Sequence, residues 1–196
     1  MTKKALILVD VQNDFCPGGS LAVNDGDKVV APLNAMVEYA LRNGWLIVAS
    51  RDWHPAETKH FAAFGGRWPA HCVQDTQGAE FHRDLRVGRA TVVSKGTDPN
   101  DDGGYSAFDG KTDDGKTLGE VLRENEVVDV CVGGLATDYC VKATVLDSLR
   151  LGFKTTILFD ACKAVNINPG DGSAAIEEMI KRGAWMSVTS RIINDY

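Results

Sequence analysis

Short apolar runs recur along the chain and predict the strands of one buried sheet. They lie at residues 5–9, 45–49, 90–94, 127–132, 155–159 and 185–188. The runs are rich in β-branched residues and nearly continuous, which is typical of parallel strands that are covered on both faces. The pattern therefore predicts a mainly parallel sheet with one strand for each run.

Helical patterns alternate with most of these runs. Apolar spacing or end signals predict helices at residues 29–41, 117–125, 140–149 and 173–182. Thr117 with Glu120 forms a capping-box sequence, and Gly152 and Gly183 end the third and fourth helices. Alternating strands and helices without a dividing linker predict a single-domain, three-layer α/β/α fold over residues 1–196.

Composition narrows the class of protein. A formal net charge of -6 argues against a nucleic-acid partner, because binding to phosphates usually requires a basic surface. No apolar run reaches the roughly 18 residues of a membrane span, and the first run ends at Asp10, as a strand does and a signal peptide does not. Five cysteines without a C-x-x-C pair suggest a reduced chain. We expect a cytoplasmic protein, monomeric or homo-oligomeric, that binds neither nucleic acid nor membranes.

Reactive side chains follow five of the predicted strands. They are Asp10, Asp52, Lys95, Cys140 and Asp160. Open α/β sheets bind ligands beyond the carboxyl ends of their strands, so we expect these groups at one edge of the sheet. Any one of them alone is more often a solvated cap or, for the thiol, a buried core residue. The coincidence of Asp, Lys and Cys at separate strand ends favours a catalytic site.

These three residue types suit acyl transfer. The predicted helix start at Cys140 offers free backbone N–H groups, which favour the nucleophilic thiolate and lower its pKa. Asp10 can take the thiol proton and return it to a leaving group, and Lys95 can hold Asp10 and stabilise developing charge. Cys140 then attacks a carbonyl to form a thioester, and the turn at residues 133–137 can direct backbone N–H groups at the oxyanion.

Histidines cluster after the second strand. Asp52, His54 and His60 form D-x-H-x5-H, and His71 follows eleven residues later. One carboxylate and three imidazoles suit a first-row transition metal with water in the remaining positions, and zinc, iron and manganese all accept these ligands. His82 falls outside this spacing and is predicted to be structural or superficial. Cys72 adjoins His71 and could compete as a ligand, although neighbouring side chains often point apart.

Motifs along nearly the whole chain resemble one family. They are LVDVQNDFCPGGSL at 8–21, DWHP at 52–55, WPAHCV at 68–73, Lys95-Gly96, YSAF at 105–108 and GLATDYCV at 134–141. In this order they are similar to the nicotinamidase/pyrazinamidase family of the isochorismatase-like hydrolases. The resemblance implies an isochorismatase-like, Rossmann-like fold and hydrolysis of nicotinamide to nicotinate and ammonia in NAD salvage.

The resemblance also implies roles for single residues. Asp10, Lys95 and Cys140 match the catalytic triad. The matches to the metal ligands are Asp52, His54, His60 and His71, with zinc the expected ion, although some relatives carry Ser at the position of His60. The Leu135–Ala136 bond would be a cis peptide, and the N–H groups of Ala136 and Cys140 would bind the oxyanion. The substrate ring would meet Phe15, Leu21, Trp68 and Tyr105, with its nitrogen at the metal. Without the family, Phe15 and Trp68 would be read as core packing.

Alternative functions stay open from the sequence. Amidases of the same superfamily that act on N-carbamoyl or ureido substrates share the Asp-Lys-Cys triad but generally lack D-x-H-x5-H with the later His. Isochorismatase chemistry on a vinyl ether does not need the Cys. A non-catalytic metal-binding or redox-sensing protein could use Cys140 as an oxidisable thiol, but a sensor has no need of Asp10 and Lys95 at strand ends.

Overall fold

A six-stranded parallel sheet forms the centre of the computed structural model, which describes residues 3–100 and 103–194. Its strands are β1 (Lys3–Val9), β2 (Leu46–Asp52), β3 (Thr91–Lys95), β4 (Val127–Leu135), β5 (Lys154–Lys163) and β6 (Trp185–Ser187). The strand order is β3-β2-β1-β4-β5-β6, and every neighbouring pair is parallel. The carboxyl ends of β1, β2, β3 and β4 therefore meet at one edge.

Helices cover both faces of the sheet. They are α1 (Val30–Arg42), α2 (Leu118–Glu124), α3 (Lys142–Arg150), α4 (Asp171–Lys181) and α5 (Thr189–Asn194). Thr117 and Glu120 form the predicted capping box at the start of α2. No helix in the described ranges is long and apolar enough to cross a bilayer.

Side chains of β1 alternate between two apolar layers. Leu6 and Leu8 pack in the layer that contains α1, whereas Ile7 and Val9 pack in the layer that contains α3 and α4. All four are fully buried, and each such side chain contributes about 1.5–3 kcal/mol to folding. This arrangement confirms the predicted three-layer fold with a parallel sheet and explains why β1 is apolar at every position.

β4 and β5 extend beyond their predicted ends. The apolar runs stop at residues 132 and 159, but β4 continues through its two glycines to Leu135, and β5 continues to Lys163. The register of β4 against β5 shifts in this region: Val132 pairs with Ile157, but Gly134 pairs with Cys162. A Cβ at Gly134 would lie 2.1 Å from the carbonyl oxygen of Val9, so this strand end requires glycine.

Asp160 does not join the other strand-end residues. It lies inside β5, is exposed, and accepts hydrogen bonds from the backbone N–H (2.9 Å) and hydroxyl (2.6 Å) of Thr189 at the start of α5. The prediction that it belongs to the reactive edge is wrong. The reason is that the apolar pattern ended β5 too early and did not predict α5.

Candidate active site

The carboxyl ends of β1, β2 and β3 bring three buried charges together. The Lys95 Nζ is 3.0 Å from Asp10 Oδ2 and also contacts Asp52 Oδ1. Asp52 and Lys95 face each other in the register of β2 and β3, so the contact follows directly from strand pairing. All three side chains are almost inaccessible to solvent. The site thus holds one cation between two carboxylates in a medium of low polarity, where such interactions are strong.

Lys95 and Asp52 stabilise each other's charged forms. Burial alone lowers the pKa of Lys95, but the carboxylates of Asp10 and Asp52 outweigh burial and raise that pKa well above its usual range. Burial likewise raises the pKa of Asp52, but Lys95 and the neighbouring His54 hold the pKa of this carboxyl well below its usual range. Lys95 is therefore an ammonium and Asp52 a carboxylate.

Asp10 sits where β1 leaves the sheet. Its backbone φ of 48° lies in the left-handed region, which Asp tolerates better than most residues. The hydroxyl of Ser50 donates a 2.6 Å hydrogen bond to Oδ1. Burial raises the pKa of Asp10, and Lys95 opposes this effect without cancelling it. A carboxyl group with a raised pKa suits both the acceptance and the return of a proton near neutral pH.

Cys140 lies in a π-helical turn, Thr137–Val141, between β4 and α3. The predicted helix start at Cys140 is wrong by two residues, because α3 begins at Lys142. The Cys140 Sγ is 3.6 Å from the Lys95 Nζ. Burial raises the pKa of the thiol well above its usual range, Lys95 opposes this, and the negative charges of Asp10 and Asp52 add to it.

The expected lowering of the thiol pKa is therefore absent. Cys140 is a protonated thiol whose sulfur lies within 4.8 Å of a carboxylate oxygen of Asp10. A protonated thiol is a poor nucleophile and needs a base within reach. Asp10, at the end of β1, is the candidate for that base.

The peptide bond between Leu135 and Ala136 is cis, as the resemblance implies. The carbonyl of Ala136 accepts hydrogen bonds from the N–H groups of Tyr139 (3.0 Å) and Val141 (3.1 Å). These bonds fix the π-helical turn against the end of β4. Ala136 and Cys140 line one pocket, so the two residues expected to bind an oxyanion are adjacent to the same space.

Three histidines converge beside this pocket. His54, His60 and His71 each offer a ring nitrogen, and these atoms lie within 4.8 Å of one another. His54 Nδ1 is 3.0 Å from the carbonyl oxygen of Gly96, and His71 Nδ1 is 2.7 Å from that of Pro69. A carbonyl oxygen only accepts hydrogen bonds, so both Nδ1 atoms carry a proton, and in a neutral ring this leaves the lone pair on Nε2.

The donor set fits a transition metal. His54 Nε2 is buried without a hydrogen-bond partner among the described residues, and a buried nitrogen of this kind needs a partner. It lies 3.7 Å from Asp52 Oδ2, and His71 Nε2 lies 3.8 Å from the same oxygen. Burial lowers the pKa of His71 to about 4, which keeps the ring neutral as a metal ligand must be.

Two other candidate ligands lie apart from this cluster. His82 Nδ1 accepts a hydrogen bond from the backbone N–H of Asp84 at 3.3 Å, and His82 is absent from the group of convergent ring nitrogens. Cys72 is fully buried, and its backbone N–H donates to Asp14 Oδ2 at 2.7 Å. Its thiol does not belong to the histidine cluster either.

One pocket connects the thiol to the histidine cluster. Its walls include the four residues expected at the substrate, namely Phe15, Leu21, Trp68 and Tyr105. The indole N–H of Trp68 donates to the Tyr105 hydroxyl at 3.1 Å, which fixes the orientation of both rings. Cys140, His60 and His71 also line the pocket. A flat ring could therefore contact the thiol and the histidines together.

Sequence reasoning missed four wall residues. Val23, Gly104, Tyr139 and Val165 also line the pocket. Tyr139 packs edge-on against Trp68, with ring centroids 5.2 Å apart. Tyr139 lies directly before the candidate nucleophile Cys140 in the chain, and this position was a signal that could have identified it. Val165 lies after β5, where the sequence offers no such signal.

The supporting polar residues were missed as well. The buried Gln12 donates to the carbonyl oxygens of Asp52 (2.7 Å) and Ala79 (2.9 Å) and accepts from the N–H of Asp52 (2.8 Å). Asp14 accepts from the N–H groups of Ser20 (3.1 Å) and Cys72 (2.7 Å). Gln12 therefore fixes the end of β2, and Asp14 ties the loop of Phe15 to the segment that carries His71.

Comparison with known proteins assigns the family. The profile of the Isochorismatase domain matches residues 4–190. The chain belongs to the isochorismatase family. A nicotinamidase of Escherichia coli K12 is 42% identical over 202 residues, which cover 95% of each chain.

Solved structures of the family are similar over the same length. A pyrazinamidase of Pyrococcus horikoshii in complex with zinc has a TM-score of 0.86 and 46% identity, covering 95% of this chain and 99% of that one. A protein of L. infantum described as PnC1, in complex with nicotinate, has a TM-score of 0.84 and 35% identity, with coverage of 96% and 94%. The fold of these isochorismatase-family proteins therefore extends over almost all of this chain.

Proposed function

We propose that this chain is an amidohydrolase that converts nicotinamide to nicotinate and ammonia, and acts on pyrazinamide by the same chemistry, in NAD salvage. The observation that carries the proposal is the pocket lined jointly by Cys140, by His60 and His71 of the histidine cluster and by aromatic side chains. The thiol supplies a nucleophile, the histidines supply a site for a metal, and the aromatic walls suit a flat ring. Nicotinamidases and pyrazinamidases among the relatives support this assignment.

The first half of the reaction forms a thioester. Asp10, whose carboxylate lies within 4.8 Å of the Cys140 sulfur, takes the proton of the thiol, and the sulfur attacks the amide carbonyl carbon. The N–H groups of Ala136 and Cys140 stabilise the oxyanion. The carbon–nitrogen bond then breaks, and Asp10 gives its proton to the leaving nitrogen, which departs as ammonia.

The second half releases the acid. A water molecule loses a proton to Asp10 and attacks the thioester carbonyl, the carbon–sulfur bond breaks, and the proton returns to the sulfur. Lys95, 3.0 Å from Asp10 and 3.6 Å from the Cys140 sulfur, stays protonated and balances the negative charge that moves between them. The enzyme is thereby restored, and the products are nicotinate and ammonia.

We propose that Asp52, His54, His60 and His71 hold one divalent transition metal, with zinc favoured and iron and manganese compatible with the same ligands. The zinc complex of the P. horikoshii pyrazinamidase supports zinc. When bound, the metal acts as a Lewis acid that accepts the ring nitrogen of the substrate. Phe15, Leu21, Trp68 and Tyr105 would then enclose the ring and hold its carboxamide toward Cys140.

We also propose that the chain forms a single domain spanning residues 1–196 and that it is located in the cytoplasm. All five cysteines are buried free thiols, as is usual in a reducing compartment. The proposal holds for a monomer and for a homo-oligomer.

A redox-sensing role for Cys140 is disfavoured by the site. Sensor cysteines are accessible and have a lowered pKa, whereas burial raises the pKa of the Cys140 thiol and the side chain is only 7% exposed. Peroxide-dependent oxidation of Cys140 without ammonia release from any amide would favour that role instead.

The proposed function is tested by ammonia release from three substrates. Purified protein is assayed with nicotinamide, pyrazinamide and an N-carbamoyl amino acid, alongside Cys140→Ala and the control Cys131→Ala, whose thiol is buried on β4 away from the pocket. We expect turnover of the two aromatic amides by the wild type and the control, and none by Cys140→Ala. Turnover of the N-carbamoyl compound alone would assign the chain to the ureido-directed amidases.

A further inference from the structure

Asp138 connects the turn of the nucleophile to a separate wall of the pocket. It lies two residues before Cys140 in the π-helical turn. Its Oδ1 accepts the backbone N–H of Val165 at 2.9 Å, and its Oδ2 accepts that of Asn166 at 2.8 Å. Each carboxylate oxygen therefore holds one peptide of the loop that follows β5. Hydrogen bonds of this kind, with an ionised acceptor, are about twice as strong as neutral ones.

The loop that Asp138 holds contributes to the substrate pocket. Val165 lines the pocket together with Cys140 and Tyr139. The Asn166 backbone has a φ of 53°, in the left-handed region, and its side-chain oxygen accepts the N–H of Gly172 at 2.8 Å. The loop is thus bonded to the nucleophile's turn on one side and to α4 on the other. A displacement of this loop would move Val165 relative to Cys140.

We propose that Asp138 is a positioning residue that fixes the Val165 wall against the Cys140 turn and so determines how tightly the pocket holds the substrate ring. This inference rests on the proposed hydrolysis of an aromatic amide and deepens it. Asp138 itself is absent from the pocket lining, so it acts through Val165 and not by touching substrate. Its loss loosens ring binding while the Asp10, Lys95 and Cys140 contacts remain.

The variant Asp138→Asn tests this with little change in shape. The amide retains one acceptor oxygen and places an NH2 donor against the other backbone N–H. The matched control is Asp171→Asn, because Asp171 Oδ2 also accepts a loop N–H, that of Asn168 at 2.8 Å, yet neither Asp171 nor Asn168 lines the pocket. We expect Asp138→Asn to raise the KM for nicotinamide about tenfold with kcat changed less than about threefold. We expect the control to keep both within about twofold of wild type.

A double-mutant cycle tests whether Asp138 changes KM through Val165. If Asp138 acts through Val165, then Val165→Ala alone also raises KM, and the Asp138→Asn/Val165→Ala double variant is no worse than the more severe single variant. KM effects that multiply in the double variant would overturn the proposed path. An unchanged KM in Asp138→Asn would overturn the positioning role itself.

The two hydrogen bonds from the Val165 and Asn166 amides to Asp138 form a clamp on this loop. Hydrogen–deuterium exchange tests this clamp independently of turnover. We expect faster exchange at the Val165 and Asn166 amides in Asp138→Asn, and wild-type exchange there in Asp171→Asn. Equal exchange at those two amides in Asp138→Asn and wild type would overturn the clamp. A wild-type protein that releases no ammonia from nicotinamide would instead refute the proposed function. The exchange result would then be the test of the clamp alone.

Discussion

The carboxylate of Asp52 is shared between Lys95 and the histidine cluster. Its Oδ1 contacts the Lys95 ammonium, while its Oδ2 lies 3.7 Å from His54 Nε2 and 3.8 Å from His71 Nε2. One side chain at the end of β2 therefore belongs both to the charge network around the thiol and to the candidate metal site. Substitution of Lys95 therefore tests the charge network, and substitution of His71 tests the candidate metal site, with Asp52 left in place.

Lys95→Met is expected to abolish activity and destabilise the fold while leaving the metal ligands in place. Removing the cation leaves Asp10 and Asp52 buried without their shared partner, which typically costs about 3–5 kcal/mol. We expect kcat/KM for nicotinamide to fall by at least about 10³-fold. Denaturant unfolding, ammonia release and metal analysis measure the three effects.

Lys142→Met is the matched control for that variant. Lys142 pairs with Glu178 at 2.6 Å, but both side chains are about a third exposed, and solvent screening leaves such pairs with little effect on stability. Equal stability of Lys95→Met and Lys142→Met would contradict the buried charge network described here.

His71→Ala is expected to lose bound metal, and His82→Ala is expected to keep it. His71 belongs to the convergent group of ring nitrogens, whereas His82 bonds to a neighbouring backbone N–H. Removal of one ligand from such a site lowers affinity steeply. Elemental analysis of the purified proteins measures bound zinc, iron and manganese, and chelator treatment of the wild type is expected to weaken nicotinate binding until metal is returned. Wild-type protein without any transition metal would shift the assignment toward the N-carbamoyl amidases.

Tyr105→Phe is expected to weaken substrate binding without slowing the chemistry. The change removes the acceptor of the Trp68 indole N–H, so Trp68 loses the bond that orients it in the pocket. A net loss of about 1 kcal/mol corresponds to a KM increase of roughly fivefold, with kcat nearly unchanged. Tyr39→Phe, in α1 and away from the pocket, is the control. Equal KM values for the two variants would show that the Trp68 orientation does not matter.

Gln12→Ala is expected to destabilise the protein by roughly 2–4 kcal/mol, because it leaves the backbone N–H and C=O of Asp52 and the C=O of Ala79 buried without their partner. The control Asn13→Ala removes one exposed bond to the carbonyl of Gln77 and is expected to cost less than about 1 kcal/mol. Thermal or urea unfolding compares them. Similar losses in both variants would contradict the structural role of Gln12.

Sequence periodicity and strand polarity account for much of this arrangement. In a parallel sheet the carboxyl ends of neighbouring strands lie together, so Asp10, Asp52 and Lys95 could be expected to meet once β1, β2 and β3 were recognised. The same reasoning failed for Asp160, because the apolar run ends at residue 159 while β5 continues past a register shift to Lys163.

Other features depend on contacts that no local pattern encodes. The pKa of Cys140 depends on its burial and on two carboxylates from other strands, which outweigh the helix-start effect expected from sequence. Gln12 and Asp138 act on backbone groups 40 and 27–28 residues away in the chain. Their partners are defined only by the folded loops, so the sequence alone could not assign these roles.

The role of Cys140 is tested most directly by one rate. The initial rate of ammonia release from nicotinamide is measured for Cys140→Ala and wild type at matched metal content, with Cys131→Ala as the control for loss of a buried thiol. We expect Cys140→Ala to retain less than about one thousandth of the wild-type rate, and Cys131→Ala to stay close to wild type. A Cys140→Ala protein that releases ammonia at a rate comparable to wild type would contradict the acyl-transfer account.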